Sequence, residues 1–217
     1  MTLKFKNTRT ILNTAIFLAI FVSFIFNPIS ALAMARSTTN FSEFSQSVQN
    51  GQADVLTGVY VTDVLALPVA QQPYGNAGYV SNNDGEVTQF RMASQFGNIG
   101  ILAHNHLSGS SFFQLAVGQE VRLVNGDGSV EYFVVSEILR YQALQPNSPY
   151  SSFSNLEKDE TLSAEQMFKR VYFGDRHVTF QTCIEAEGDA SWGRLFVIAI
   201  PKSDYMNFNR LNQQVAQ

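Results

Sequence analysis

The sequence predicts a mostly β domain, a closed barrel or a sandwich, behind an N-terminal export segment. Three observations predict it. Apolar, β-branched runs recur at short intervals, Gly, Asn and Asp punctuate them, and only one stretch carries convincing helix signals.

Taken in order, Lys4, Lys6 and Arg9 open the chain with positive charge, and Ile11 to Phe26 is an apolar run interrupted only by Asn13, Thr14 and Ser23. Pro28 breaks it, and Ala31-Leu32-Ala33 and Ala33-Met34-Ala35 offer small-residue cleavage sites. That order of features reads as a secretory signal peptide over residues 1–35. An uncleaved membrane anchor is the alternative, the run being a little shorter than the roughly 20 residues that span a bilayer. Either way the remainder is expected outside the cytoplasm, secreted or held at the outer face of the membrane.

Residues 36–52 form a polar lead-in, flexible or helical, before a domain over residues 53–204. The runs Val55–Ala70, Val87–Met92, Ile99–Ala103, Val121–Val124, Tyr132–Leu139, Val178–Thr182 and Leu195–Ile200 read as strands. Asn125-Gly126-Asp127-Gly128 between two of them is a hairpin signal. Ser163, with Gln166 three residues on, completes a capping box ahead of Met167, Phe168 and Val171, which predicts a helix there. Residues 205–217 read as a polar tail.

Removing residues 1–35 takes away three of the 14 Lys and Arg and none of the 18 Asp and Glu, leaving 11 against 18, a net charge of −7. A nucleic-acid partner needs a basic footprint and is excluded on that ground. The remaining length suffices for one domain with a substantial core.

The chemistry gathers around Cys183, the only cysteine, which closes Thr179-Phe180-Gln181-Thr182-Cys183 at the end of an apolar run. In an oxidising compartment a single cysteine is either a buried apolar group or a nucleophile. As a nucleophile it needs a base or a positive charge nearby. His104 and His106 follow the apolar run Ile99–Ala103, and Arg194 opens the run that follows Cys183. A thiol, a histidine and a fixed cation at strand ends can supply nucleophile, proton carrier and oxyanion stabiliser.

Less active readings stand beside these. His104 and His106 could form a His-x-His zinc pair with Cys183, although a fourth ligand is missing. Arg194 could be a surface ion-pair partner. His177, after Gly174-Asp175-Arg176, reads as a solvated loop residue. The acidic clusters 157–160 and 185–189 lack the spacing of a calcium loop and read as solvated faces.

Thr179-Phe180-Gln181-Thr182-Cys183 resembles the Thr-Leu-x-Thr-Cys motif of the sortase family, with Phe180 in the Leu place. The resemblance extends to Arg194 downstream, to His104 after a strand, and to Phe113-Gln114-Leu115 and Gly118-Gln119-Glu120-Val121 beyond it. It covers Leu65 to Pro201 and assigns no class within the family. One departure is Ala103 where the family commonly has glycine before its histidine.

The resemblance implies a closed eight-stranded sortase-like β-barrel with one or two short helices. It also implies a cysteine transpeptidase needing no metal or organic cofactor. Its partners would be an exported protein bearing a C-terminal sorting motif and an amine acceptor, such as a peptidoglycan precursor or a pilin lysine. Cys183 would attack, His104 would protonate the leaving amine, and Arg194 would hold the peptide and the oxyanion. Thr182 and His106 would touch the substrate, and Leu144, Tyr150 and Phe153 would line the peptide groove.

Two other readings remain. An L,D-transpeptidase would want Gly before its cysteine and Arg two residues after, where this chain has Thr182 and Glu185. A non-catalytic barrel that binds peptide or envelope polymer is the other; intact Cys183, His104 and Arg194 argue against it.

Overall fold

The computed structural model describes residues 40–215, so the export segment read over residues 1–35 lies outside them. The lead-in is helical: Asn40 accepts a hydrogen bond from Ser42 N and caps α1 (Phe41–Ser47). α1 lays Phe44 against Tyr60 and Val124. The apolar run 55–70 is two strands, β1 (Leu56–Val61) and β2 (Leu65–Gln71), paired antiparallel around a turn in which Asp63 has φ 61°. Asp tolerates that left-handed conformation better than most residues, which lets the chain reverse without glycine.

β3 (Val87–Phe90), the short α2 (Arg91–Ser94) and β4 (Ile99–Leu102) follow, then a 3₁₀ turn at Ser108–Gln114. β5 (Glu120–Asn125) and β6 (Val130–Ala143) form the hairpin that Asn125-Gly126-Asp127-Gly128 predicts, with Gly128 at φ 86°. β7 (Phe153–Asn155) and β8 (Thr161–Leu162) precede α3 (Ala164–Tyr172), whose Ser163–Gln166 capping box is present. β9 (Val178–Ala186), β10 (Asp189–Pro201) and α4 (Lys202–Val215) complete the described chain.

The strands pair in the order β10-β9-β4-β3-β2-β1-β5-β6, and β6 pairs back onto β10. Eight strands therefore close on themselves, and β7 and β8 extend outward from β6. Closure removes the exposed edges of those eight strands. Inward-facing residues such as Val59, Ile101, Leu123, Phe180 and Val197 fill the barrel, all essentially inaccessible to water. A second cluster lies outside the wall, where Met167, Val171 and Tyr172 of α3 cover Leu139, Phe196 and Ile198.

Two expectations need correcting. β9 runs past Cys183 to Ala186, and β10 starts at Asp189, so Cys183 and Arg194 lie inside strands and not at their ends. The continuous apolar runs stop there, whereas backbone pairing continues through mixed polar and apolar residues, among them Ile184, which still packs against the core. The residues from 205 onward are helical in α4 as far as Val215, with Tyr205 and Asn209 partly buried along it. Beyond the single helix with convincing sequence signals, α1, α2 and α4 are present as well.

α4 is tied to the barrel by charge. Lys202 Nζ donates to Glu120 over 2.5 Å and Arg122 Nε donates to the same carboxylate over 2.8 Å. The Lys202 bond, with help from Arg122, holds the Glu120 carboxyl below its ordinary value of about 4.5, against partial burial. A lowered carboxyl stabilises the fold above that ordinary value, and the contribution is lost as pH falls through the folded value. Glu120→Gln is therefore expected to cost up to about 1 kcal/mol at neutral pH and nothing once the carboxyl is protonated in both states. Denaturant unfolding of both forms at neutral and strongly acidic pH checks this.

Candidate active site

The barrel register brings the three candidate residues to one level. Cys183 of β9 is directly opposite Arg194 of β10. On its other side β9 runs parallel to β4, with Leu102 opposite Gln181 and Ala103 N donating to the Gln181 carbonyl over 3.3 Å. His104 lies two residues beyond Leu102, and Cys183 two beyond Gln181, so the register carried forward sets His104 level with Cys183. Residues opposite one another across a sheet share a face, and alternate residues along a strand alternate faces. Phe180 and Leu195 point into the barrel core. Cys183 and Arg194 therefore share the outer face, as a row across β9 and β10, and His104 follows two residues past the end of β4. Cys183 and Arg194, 11 positions apart, meet through the antiparallel β9–β10 pairing, and β4 lies beside β9 through a parallel pairing of strands distant in sequence.

Buried contacts hold the row. Thr182 is 3% exposed and its Oγ1 donates to the Ala103 carbonyl over 2.9 Å, tying the cysteine strand to the histidine strand. Gly109 presses onto the same point: a Cβ there would meet Thr182 Oγ1 at 2.4 Å, the His104 carbonyl at 2.6 Å and the Ala103 carbonyl at 2.9 Å. Leu107 N and Gly109 N both donate to the His104 carbonyl over 3.0 Å, so the turn after His104 is closed from both sides. Asn105 Nδ2 donates to the Ala190 carbonyl over 3.1 Å, linking that turn to the start of β10. Gly109→Ala is expected to destabilise the fold by about 1–3 kcal/mol, as overpacking does, and to displace His104. Thermal unfolding measures the first effect and peptide turnover the second.

Arg194 carries its charge without a carboxylate. Among the described residues its hydrogen bonds go to backbone carbonyls: Nη1 to Ser191 and Gly193, both at 2.8 Å, and Nη2 to Pro146 at 3.3 Å. None of the ion pairs of the described residues includes it, which separates Arg194 from the surface-pair alternative. A guanidinium always bears its proton, and its remaining N–H groups can meet a developing oxyanion. Gly193 is required beside it, since a Cβ there would meet the Tyr141 carbonyl at 2.5 Å.

Tyr141 of β6, opposite Arg194, continues the row and was not visible as a site neighbour in the sequence. Its hydroxyl donates to Glu160 over 3.0 Å, and burial together with that carboxylate pushes the phenol above its ordinary value. Glu160 of the first acidic cluster is thus a partner of the barrel wall.

The other expected residues fall in different places. His106 is exposed and its ring stacks on His104, centroids 5.5 Å apart and planes 27° from parallel. Leu144 (51% exposed) and Tyr150 (85% exposed) lie in the β6–β7 connection, which Arg194 holds through Pro146. Phe153 packs onto the outer cluster beneath α3. Among the described residues no three His, Cys, Asp or Glu side chains are grouped as metal ligands.

His177 corrects its reading as a solvated loop residue. It is 7% exposed, with Nδ1 2.7 Å from the Asp175 carbonyl and Nε2 2.9 Å from the Val171 carbonyl. The polar turn before it is at the surface, but His177 already enters the β4–β9 ladder, donating its N–H to Asn98 Oδ1 and accepting from Ile99 N.

Concavities of about 300, 200 and 170 Å³ are lined by other residues, and none of the three includes Cys183, His104 or Arg194.

No family model matches the chain, and no curated protein matches it. Several solved structures do, all at low identity. Sortase A of Listeria monocytogenes is 14% identical with a TM-score of 0.45, over 68% of this chain and 87% of that one. A sortase D5 transpeptidase of Clostridium perfringens is 12% identical with a TM-score of 0.44, over 75% and 88%. Sortase C-1 of Actinomyces oris is 11% identical with a TM-score of 0.45, over 75% and 80%. The closed barrel itself rests on the strand pairings and not on these likenesses.

Proposed function

We propose that this chain is a sortase-type cysteine transpeptidase. It would cleave a C-terminal sorting signal of an exported protein through a thioacyl-enzyme and pass the acyl group to an amine. The observation that supports the reading is Cys183 opposite Arg194 on the outer face of the closed barrel, with Thr182 Oγ1 tied to the Ala103 carbonyl just before His104.

The chemistry follows from that row. Cys183 Sγ, as thiolate, attacks a peptide carbonyl carbon, and the carbonyl oxygen takes up the displaced electron pair. Arg194, adjoining in register, meets that charge with N–H groups not engaged by backbone carbonyls. Collapse of the intermediate breaks the C–N bond, and His104 donates the proton that the leaving amine needs. The neutral imidazole then removes a proton from the incoming amine, which takes the acyl group from sulfur and restores the starting state. Thr182 serves this chemistry as a positioning residue, since its hydroxyl is committed to the Ala103 carbonyl. Leu144 and Tyr150 are exposed where a peptide in the groove would pass, and His106 flanks His104 at the same rim. No step requires a metal or an organic cofactor.

The partners in this reading are an exported protein with a sorting motif and a cell-wall or pilin amine. It places the domain outside the cytoplasm. A peptide-library cleavage screen with hydroxylamine as acceptor tests it. The expected result is Cys183-dependent release of a C-terminal fragment together with a hydroxamate of the N-terminal one. Absence of turnover for every peptide supports the binding-barrel alternative instead.

A further inference from the structure

β9 sends two neighbouring side chains onto the groove face, Cys183 and, two residues before it, Gln181. The Gln181 row is otherwise apolar: Leu102 of β4, Phe196 of β10 and Leu139 of β6, all buried. Gln181 itself is only partly buried. A carboxamide in such a row costs free energy unless its polar atoms are paired.

One end is paired. The Tyr172 hydroxyl at the end of α3 donates to Gln181 Oε1 over 2.6 Å. Tyr172 is buried, and burial holds the proton on its oxygen, so that hydroxyl must find an acceptor. The tyrosine therefore decides which end of the amide it faces. The other end, Nε2, carries only donors, and among the described residues nothing accepts from it. Gln181 thus presents an oriented N–H pair on an apolar floor, two residues from the thiol. Two residues of extended strand span about 7 Å, the length of two residues of an extended peptide lying alongside.

We propose that Gln181 is a specificity-determining residue of the groove: Tyr172 locks its carboxamide, and the N–H pair recognises a hydrogen-bond acceptor of the bound peptide one or two residues from the scissile carbonyl. That acceptor is a backbone carbonyl or an amide or hydroxyl side chain. The assignment rests on the peptide-cleaving reading above. Gln181 recognises the peptide away from the reacting bond, so its effect falls on KM and on sequence preference.

The test measures kcat and KM for the wild-type protein, Gln181→Met, Gln181→Glu and Tyr172→Phe, with Cys183→Ala as blank. The peptide library is varied in side chains and contains backbone thioamides. Gln181→Met keeps the shape and is expected to raise KM about tenfold with kcat within about twofold, as losing one recognising hydrogen bond does. Gln181→Glu keeps the acceptor for Tyr172 but replaces the donor pair by an acceptor. It is expected to turn preference toward peptides offering a donor or a cation. Tyr172→Phe frees the amide and is expected to act in the same direction as Gln181→Met, less strongly.

A side-chain acceptor shows as preference lost at one library position. A backbone acceptor shows as a uniform KM increase that vanishes against thioamide peptides. KM and preference unchanged in both Gln181→Met and Tyr172→Phe overturn the assignment, as does a fall in kcat at constant KM. If the wild-type protein gives no Cys183-dependent turnover, the underlying reading fails and the assignment with it.

Discussion

Cys183→Ala is expected to reduce peptide cleavage by about 10³-fold or more, to whatever binding and oxyanion stabilisation alone can supply. The size follows from the covalent route, since without sulfur no acyl intermediate forms and the barrier reverts to direct attack by water or amine. The fold should tolerate the change. Cys183 is only partly buried, outside the barrel core, and is the chain's only cysteine, so no disulfide is lost. Thermal unfolding close to that of the wild type, alongside abolished turnover, is the expected pair of results. Turnover that survives the substitution would remove Cys183 from the chemistry.

His104→Ala is expected to lower kcat by about 10²–10⁴-fold, the usual contribution of a general acid and base. His106→Ala should stay within a few-fold of the wild type. The two histidines are separated by one residue and stack on each other, so their types alone do not separate them. The register does. Counting from Leu102 opposite Gln181 sets His104 level with Cys183, whereas His106 is a central residue of the turn that Leu107 N closes onto the His104 carbonyl. Parallel steady-state assays of the two variants decide between them. Equal losses would mean that the pair acts jointly, and a larger loss at His106 would reverse the assignment.

Both expectations rest on residues visible in the sequence, and what was legible there has a physical boundary. Apolar runs located the centres of most barrel strands, because burial on one face imposes a pattern on side chains. They did not locate strand ends. β9 continues to Ala186 and β10 begins at Asp189, through mixed residues and an irregular register between Asp189 and Gly193. The run 55–70 concealed a hairpin because its turn uses Asp63 in place of glycine.

Cys183, His104 and Arg194 could be singled out by chemical type and order, yet their convergence depends on β4 lying beside β9, a parallel pairing of strands distant in sequence. The supports were not legible. Gly109 is indispensable only because Thr182 Oγ1 and the His104 carbonyl stand where its Cβ would go. Tyr141, Tyr172 and Gln181 acquire a place in the groove only once α3 is seen to cover the outer wall. His177 looked solvated because its neighbours are polar, and its burial is decided by Asn98, distant in sequence, and by the Val171 carbonyl near the end of α3.

The central claim is that the Cys183 sulfur carries the acyl group. Intact-mass measurement of the protein mixed with a cleaved peptide in the absence of an amine acceptor tests it most directly. The account predicts a transient adduct with the mass of the N-terminal peptide fragment, located on Cys183 by digestion and discharged by hydroxylamine. Cleavage that proceeds with no adduct on Cys183, or an adduct that forms equally well in Cys183→Ala, would contradict it.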